Sequence, residues 1–275
     1  MKIPLKTIKD YVKKELNDDR LSFYLISDTL DLTKTQYLLE NDKLIDNEIF
    51  DIIKQRLIKL KSGIPLAYVI GNTYFCDFRF SVGPGVLIPR IETEELVYMI
   101  CDYINELKSQ GKSNIKILEL CAGSGCIGIS LAKKNRDVFV HMIEKDEKAY
   151  FYLNKNKNDL SAGNVTLYLD DVLKCYNRFS DEEFDIIVSN PPYIKTSELE
   201  KLDLSVKYEP EIALDGGEDG LDFYRNFSSD WILKLKKDGK MFLEVDDDKI
   251  KDIFDNIEIK KDLFENTRFA EIKRR

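Results

Sequence analysis

Strand-like apolar runs alternate with amphipathic helical segments from about residue 93 to the end of the chain. The apolar runs predict strands near residues 115–120, 138–143, 165–168, 184–189, 240–245 and 267–273. Helical spacing recurs between several of them, near residues 96–107, from about residue 127, and at residues 149–156. Strands that alternate with helices in this way are typical of a doubly wound sheet. The sequence therefore predicts an α/β fold with a mostly parallel sheet.

The preceding part of the chain has a different pattern, in which apolar residues recur at helical spacing. They form two stripes, Leu5, Ile8 and Val12, and then Ile49, Ile53, Leu57 and Leu60. Thr33 and Gln36 have the spacing of a helix capping box. Residues 74–82 alternate in strand fashion before a Gly-Pro-Gly turn at 83–85. We expect a small helical domain at 1–72, a linking β-hairpin at 73–89 and the large domain at 90–275.

Composition excludes several classes of protein. The chain has 275 residues, 33% of them charged, and no apolar stretch long enough for export or membrane spanning, so we expect a cytoplasmic protein. Its five cysteines form no CxxC pair, which argues against both a disulfide framework and a zinc site, and no metal is expected. The net charge of −8 disfavours binding to nucleic acid. A monomer is expected.

Three predicted strands end in residues suited to a nucleoside cofactor. Ligands of open parallel sheets bind beyond the carboxyl ends of the strands. The first strand leads through Glu119 into a turn whose glycines allow close approach to a ligand, Cys121, Ala122, Gly123, Ser124 and Gly125. Glu144 follows the second strand and could accept hydrogen bonds from ribose hydroxyls. Asp171 follows the third, where an acid could accept from an adenine amino group.

These residues leave two cofactors open. Gly123, Gly125 and Gly128 also satisfy the GxGxxG pattern of dinucleotide sites, so a nicotinamide cofactor competes with S-adenosylmethionine. The surrounding carboxylates would repel a pyrophosphate, whereas a sulfonium cation that bears an ammonium group tolerates them. The acidic side chains therefore favour S-adenosylmethionine.

The segment Asn190, Pro191, Pro192, Tyr193 directly follows the apolar run at 184–189. The two prolines hold the backbone extended and remove two amide donors, so the loop is stiff and rich in acceptors. The Asn190 side-chain oxygen and the Pro191 carbonyl could together grip a planar NH2 group, with Tyr193 stacked against its plane. The alternative is a rigid proline turn with a capping asparagine. We predict that this corner aligns a substrate nitrogen with a methyl donor.

The segments ILELCAGSGCIGISLA, IVSNPPYI, GVLIPRIETEELV and DLFENTRFAEIKRR resemble the protein-(glutamine-N5) methyltransferases that modify the Gly-Gly-Gln loop of peptide chain release factors. The resemblance implies a class I methyltransferase-like fold with S-adenosylmethionine as cofactor and release factors as partners. It assigns Cys121 to Gly125 to the methionine part of the cofactor, Glu144 to the ribose, and Asp171 with Val172 to the adenine. Asn190 to Tyr193 would hold the substrate glutamine, and residues 89–94 would border the cofactor.

Other interpretations stay open beside this one. Asn-Pro-Pro-Tyr also occurs in adenine-N6 methyltransferases that act on nucleic acid, and a dinucleotide oxidoreductase or a non-catalytic binding fold is a third possibility. The chain departs from the family pattern where Cys121 and Ala122 replace a Gly-Thr pair and where Glu144 replaces the commoner aspartate. His141, the only histidine, lies within a predicted strand and is expected to have a structural role.

Overall fold

The computed structural model describes residues 2–274, apart from the side chains of residues 227–229. The chain forms two compact units, one of Met1–Asn72 with Asp203–Tyr208, the other of Thr73–Leu202 with Glu209–Arg275. Each unit has a hydrophobic core of its own. The short segment 203–208 thus clusters with the helical unit, although it lies far along the chain within the range predicted for the large domain. The predicted division into a helical domain at 1–72, a linker at 73–89 and a large domain at 90–275 stays a prediction.

The first unit is a bundle of short helices around a small core. Its elements are β1 (Lys2–Pro4), α1 (Leu5–Leu16), α2 (Asp19–Leu30), α3 (Lys34–Leu39), β2 (Leu44–Asp46), α4 (Asn47–Lys61) and α5 (Leu66–Ile70). The predicted stripes supply buried residues of this core, among them Leu5, Ile8 and Ile53. The capping box is confirmed, because the Gln36 N–H donates to Thr33 Oγ1 at 3.2 Å and the Thr33 N–H donates to Gln36 Oε1 at 3.0 Å.

The hairpin consists of β3 (Asn72–Phe75) and β4 (Phe78–Ser81), which form a two-stranded sheet. Its turn lies at Cys76 and Asp77, whose φ angles are 49° and 70°. The hairpin turn therefore lies inside the run 74–82 and not at the Gly-Pro-Gly turn expected at residues 83–85. Two non-glycine residues adopt the left-handed conformation that a tight hairpin turn requires, and Cys76 gives no turn signal in the sequence.

The large unit contains a seven-stranded sheet in the order β10-β11-β9-β8-β5-β6-β7. Its elements are α6 (Glu92–Ser109), β5 (Lys116–Leu120), α7 (Cys126–Lys134), β6 (Phe139–Glu144), α8 (Glu147–Asp159), β7 (Val165–Leu169), β8 (Phe184–Ser189), α9 (Asp222–Ile232), β9 (Leu235–Glu244), β10 (Ile257–Lys261) and β11 (Thr267–Lys273). The five strands from β9 to β7 are parallel, whereas β11 pairs antiparallel with β9 and β10 pairs antiparallel with β11. The predicted fold class is confirmed.

Strand register determines which residues meet at the carboxyl edge. Leu120 pairs with Ile143 on one side and with Ser189 on the other, and Ser189 pairs with Leu243. The chain reverses its direction of winding between β5 and β8, which is where a ligand crevice is expected. The residues that follow these paired positions therefore lie side by side at this edge, namely Cys121, Glu144, Asn190 and Glu244. Within the described part of the chain, no helix is long and apolar enough to cross a membrane.

Candidate active site

A cavity of about 1230 Å³, including its open mouth, lies at the carboxyl edge of the sheet. Nine of the ten residues predicted to bind the cofactor line it, namely Glu119, Cys121, Ala122, Gly123, Ser124, Glu144, Asp171, Val172 and Asn190. Gly125 is not among the lining residues. The volume that water-sized molecules can occupy inside it is about 270 Å³, close to the lower end of the usual range for ligand sites. Strand register has thus gathered side chains that are separated by up to 71 positions of the sequence, from Glu119 to Asn190.

The glycine turn between β5 and α7 is held in a left-handed conformation. Gly123 and Gly125 have φ angles of 56° and 80°, and Gly125 caps the N-terminus of α7. Cys121 shares this conformation with φ of 59°, although a side chain there is strained. Glu119 binds the first turn of α7, because its Oε2 accepts the Gly128 N–H at 2.9 Å. Burial raises the pKa of Glu119 well above its usual value, and the Gly128 N–H only partly offsets this.

Glu144 binds the backbone on both sides of the cavity. Its Oε2 accepts the Gly123 N–H at 2.7 Å, and its Oε1 accepts the N–H groups of Lys145 and Asp146, both at 2.8 Å. Burial raises the pKa of this carboxyl, while the three backbone donors act in the opposite direction. A carboxylate has about four acceptor positions, so roughly one remains for a ligand. The geometry offers less to a ribose than the two hydrogen bonds expected from the sequence.

The acids after β7 have separate partners. Asp171 lies 3.1 Å from the Lys145 ammonium and accepts the Leu173 N–H at 3.0 Å. Burial alone would raise the pKa of Asp171, but these donors outweigh it and lower the pKa. Val172 is buried, and its carbonyl accepts the indole N–H of Trp231 at 3.0 Å. This wall of the cavity is therefore fixed by hydrogen bonds on both of its predicted adenine residues.

The corner after β8 contributes Asn190 and Pro192 to the cavity lining, whereas Pro191 and Tyr193 are not lining residues. It is braced from behind by a bridge between Ile194 and Asp215. Gly216 lies so close that a Cβ there would come within 2.7 Å of the Tyr193 Cα. The predicted stiffness of this corner thus has a second source, because the returning chain packs against it.

Two residues connect to this corner, Thr93 from the segment expected to border the cofactor and Glu244, which the sequence did not single out as a site residue. Glu244, the last residue of β9, accepts hydrogen bonds from Thr93 Oγ1 at 2.6 Å and from the Tyr193 hydroxyl at 3.1 Å. Asn190 Nδ2 donates to Thr93 Oγ1 at 3.4 Å. Burial raises the pKa of Glu244, and the Thr93 and Tyr193 donors partly oppose it. The signal available in the sequence was an acid at the end of a predicted strand beside the strand of Asn190.

The segment 89–94, which runs into the first turn of α6, borders part of the cavity. Pro89, Arg90 and Thr93 line it, while Glu92 and Glu94 do not. Arg90 Nη2 lies 2.6 Å from Oε1 of the buried Glu209. Glu94 instead accepts the N–H of Cys76 at 2.9 Å and so holds the hairpin turn.

His141 does not line the cavity. His141 stands on β6, where Nδ1 is 2.9 Å from the Tyr168 hydroxyl and the two rings stack. Burial lowers its pKa. Among the described residues, no group of three or more histidine, cysteine or acidic side chains has an arrangement that could hold a metal ion. The lining chemistry fits S-adenosylmethionine, because the acidic residues Glu119, Glu144 and Asp171 line the cavity and tolerate a cationic ligand.

Two family models match the chain, the PrmC N-terminal domain over residues 5–71 and the methyltransferase small domain over residues 103–205. The release factor glutamine methyltransferase of Thermodesulfovibrio yellowstonii is 36% identical over 271 residues, covering 94% of each chain. That of Clostridium acetobutylicum is 38% identical and covers 100% of this chain and 94% of its own.

Among solved structures, the hMettl16 catalytic domain in complex with the MAT2A 3′UTR hairpin 6 shares the fold. Its TM-score is 0.51 at 13% identity, with 84% of each chain covered. This similarity supports the class I methyltransferase-like architecture of the large unit and no more. The two relatives, by contrast, are similar over nearly their whole length. The chain therefore belongs to the family of release factor glutamine methyltransferases.

Proposed function

We propose that this chain transfers a methyl group from S-adenosylmethionine to the side-chain amide nitrogen of the glutamine in the Gly-Gly-Gln motif of peptide chain release factors. The observation that carries the proposal is the shared cavity, in which Asn190 lies at the same edge as the glycine turn and Glu144. A nitrogen held by Asn190 would thus lie beside a cofactor held by the turn. Full-length relatives with this activity in their names add support.

The residues of the cavity divide the work of binding and alignment. When bound, S-adenosylmethionine supplies a methyl group that is already activated on a sulfonium. Gly123 and Ser124 would face its methionine part, Glu144 its ribose, and Asp171 with Val172 its adenine. Asn190 Oδ1 and the Pro191 carbonyl would accept the two protons of the substrate NH2 group and so point its nitrogen at the methyl.

Tyr193 has a narrower role than the sequence suggested. Its hydroxyl is bonded to Glu244, and its ring packs with the core cluster behind the cavity. We propose that Tyr193 supports the corner. Because Pro192 lines the cavity and Tyr193 does not, the Tyr193 ring could stack on the substrate only if the glutamine extended beyond Pro192. No strong base is required, because an amide nitrogen becomes acidic once it is methylated and can lose its proton afterwards.

The partners and the location follow from the substrate. Release factors act in the cytoplasm, which we take as the place of this enzyme. The net charge of −8 argues against nucleic acid as the substrate. We propose a monomer that meets the release factor as a separate protein.

Transfer of labelled methyl from S-adenosylmethionine to a purified release factor tests this function. We expect label on the glutamine of the Gly-Gly-Gln motif and none on a release factor in which that glutamine is alanine. Duplex DNA serves as the parallel substrate. Label on DNA alone would refute this proposal and favour the adenine-N6 methyltransferase alternative.

A further inference from the structure

Glu244 is a buried carboxylate that does not line the cavity. It nevertheless contacts the corner formed by Asn190 to Tyr193, the reactive corner, through the Tyr193 hydroxyl. It ends β9, between β8 and β11, where its position in the ladder pairs with Phe269. Its own carbonyl accepts the Tyr224 hydroxyl at 2.6 Å. The backbone of Glu244 is therefore held by β11 and by Tyr224, and its side chain is held by the Thr93 and Tyr193 hydroxyls.

With Glu244 ionised, the hydrogen bonds around its carboxylate have only one consistent direction. An ionised carboxylate accepts and never donates, so the Thr93 hydroxyl proton must point at Glu244 Oε2, 2.6 Å away. The Thr93 oxygen then offers only lone pairs to its other neighbour. That neighbour is the Asn190 carboxamide, which must present its NH2 group to Thr93, as the 3.4 Å contact from Nδ2 shows.

This direction decides what Asn190 offers to a substrate. With Nδ2 turned to Thr93, the amide oxygen Oδ1 points the other way. A flipped carboxamide would offer NH2 to a substrate NH2, and two donors cannot bond to each other. The second oxygen of Glu244 accepts the Tyr193 hydroxyl at 3.1 Å and so fixes the last residue of the same corner.

We propose that Glu244 is a positioning residue for methyl transfer, which acts through Thr93 to orient the Asn190 carboxamide and through Tyr193 to hold the corner. The inference rests on the proposed function for the identity of the substrate, but it concerns any substrate that presents an NH2 group. It predicts that the carboxylate affects turnover with little effect on cofactor affinity.

Three substitutions test the chain of contacts. Glu244→Gln leaves one acceptor oxygen for two donors, the Thr93 and Tyr193 hydroxyls. One of these two hydrogen bonds must therefore reverse its direction or break. We expect kcat to fall about ten- to hundredfold, the size of one lost charge-assisted hydrogen bond, with the Kd for S-adenosylmethionine changed less than about threefold. Thr93→Val keeps the shape and removes the hydroxyl, and should lower kcat similarly. Thr93→Ser keeps the hydroxyl and should retain most of the activity.

A double-mutant cycle separates positioning from a structural role. In an Asn190→Ala background, Thr93→Val should have no further effect on kcat, because no carboxamide remains to be oriented. Glu271→Gln is the matched control, since it neutralises another buried acid of the same sheet, paired with Lys240 and Lys260 away from the cavity. It should lower the unfolding temperature without lowering kcat of the folded enzyme.

The outcomes distinguish this inference from the proposed function. Methylation of the release factor by the wild type reports on the function, whereas the ratio of variant to wild type on whichever NH2 substrate is methylated reports on Glu244. A kcat within twofold of wild type in Glu244→Gln would overturn the inference. So would equal losses in Thr93→Ser and Thr93→Val, or additive losses in the cycle.

Discussion

Removal of the Glu144 carboxylate should weaken both the fold and the binding of the cofactor, by separable amounts. In the structure this carboxylate accepts three backbone N–H groups, from Gly123, Lys145 and Asp146. Glu144→Ala leaves all three without their acceptor, although water from the open cavity can replace part of the loss. Three buried donors at about 1–3 kcal/mol each would cost about 3–9 kcal/mol, and with water replacing roughly half of this we expect the free energy of unfolding to fall by about 2–4 kcal/mol.

The effect on binding is estimated from the acceptor positions that remain. Because roughly one of about four positions is free, Glu144→Ala should remove one charge-assisted hydrogen bond to the ribose. This predicts a Kd for S-adenosylmethionine that rises about ten- to hundredfold. Glu144→Gln keeps one acceptor oxygen and places an NH2 group against the other donors, so both effects should be smaller but present.

Urea unfolding and titration calorimetry measure the two effects on the same samples. Unfolding is followed without cofactor, because a bound ligand would itself stabilise the fold. Glu147→Gln, an exposed acid in the first turn of α8, is the control and should change both quantities little. If Glu144→Ala unfolds within about 0.5 kcal/mol of wild type while binding weakens, the backbone contacts do not stabilise the turn and the reasoning fails.

Three further predictions address other parts of the site. Asn190→Ala should lower turnover by roughly two to three orders of magnitude while the Kd for S-adenosylmethionine stays within a few fold, as measured by methyl transfer and calorimetry; near-normal turnover would refute its role. Gly216→Ala should lower kcat, because its Cβ would lie within 2.7 Å of the Tyr193 backbone, and unchanged kinetics would show that the brace is dispensable. Burial lowers the pKa of His141, so protonation favours the unfolded chain and its contribution to stability is lost as pH falls below about 6.5. In urea unfolding from pH 7 to pH 5, His141→Phe should lose less stability than wild type, and parallel pH curves would contradict this.

Much of the large domain was predictable because its strands are short apolar runs with defined ends. The ranges 184–189 and 267–273 agree with β8 and β11 to the residue. The carboxyl ends of parallel strands lie at the same edge of a sheet, regardless of the length of the connections between them. The glycine turn, Glu144 and Asn190 could therefore be assigned to one edge from the sequence.

Other elements escaped because their signal is weak or non-local. β10 is an edge strand of five residues with half-buried and exposed side chains, and β9 begins at Leu235, within a lysine-rich stretch that has no strand pattern. The turn at Cys76 and Asp77 has no glycine. In each case tertiary pairing overrides local preference.

The support of the reactive corner was also outside the reach of sequence. Thr93 and Glu244 are separated by 151 positions, and their contact depends on the N-terminal end of α6 meeting the end of β9. The family resemblance placed Thr93 in a segment expected to border the cofactor, whereas Glu244 was not singled out. Only the register of β8 against β9 brings that acid next to Asn190.

A crystal structure of the enzyme with S-adenosylhomocysteine and a peptide that contains Gly-Gly-Gln would show how Asn190 and the cofactor lie relative to the substrate glutamine. We expect the adenosyl group between Glu144 and Asp171, and the glutamine carboxamide nitrogen within hydrogen-bonding distance of Asn190 Oδ1, facing the sulfur. A glutamine bound elsewhere, or an Asn190 whose NH2 group faces the substrate, would contradict this expectation.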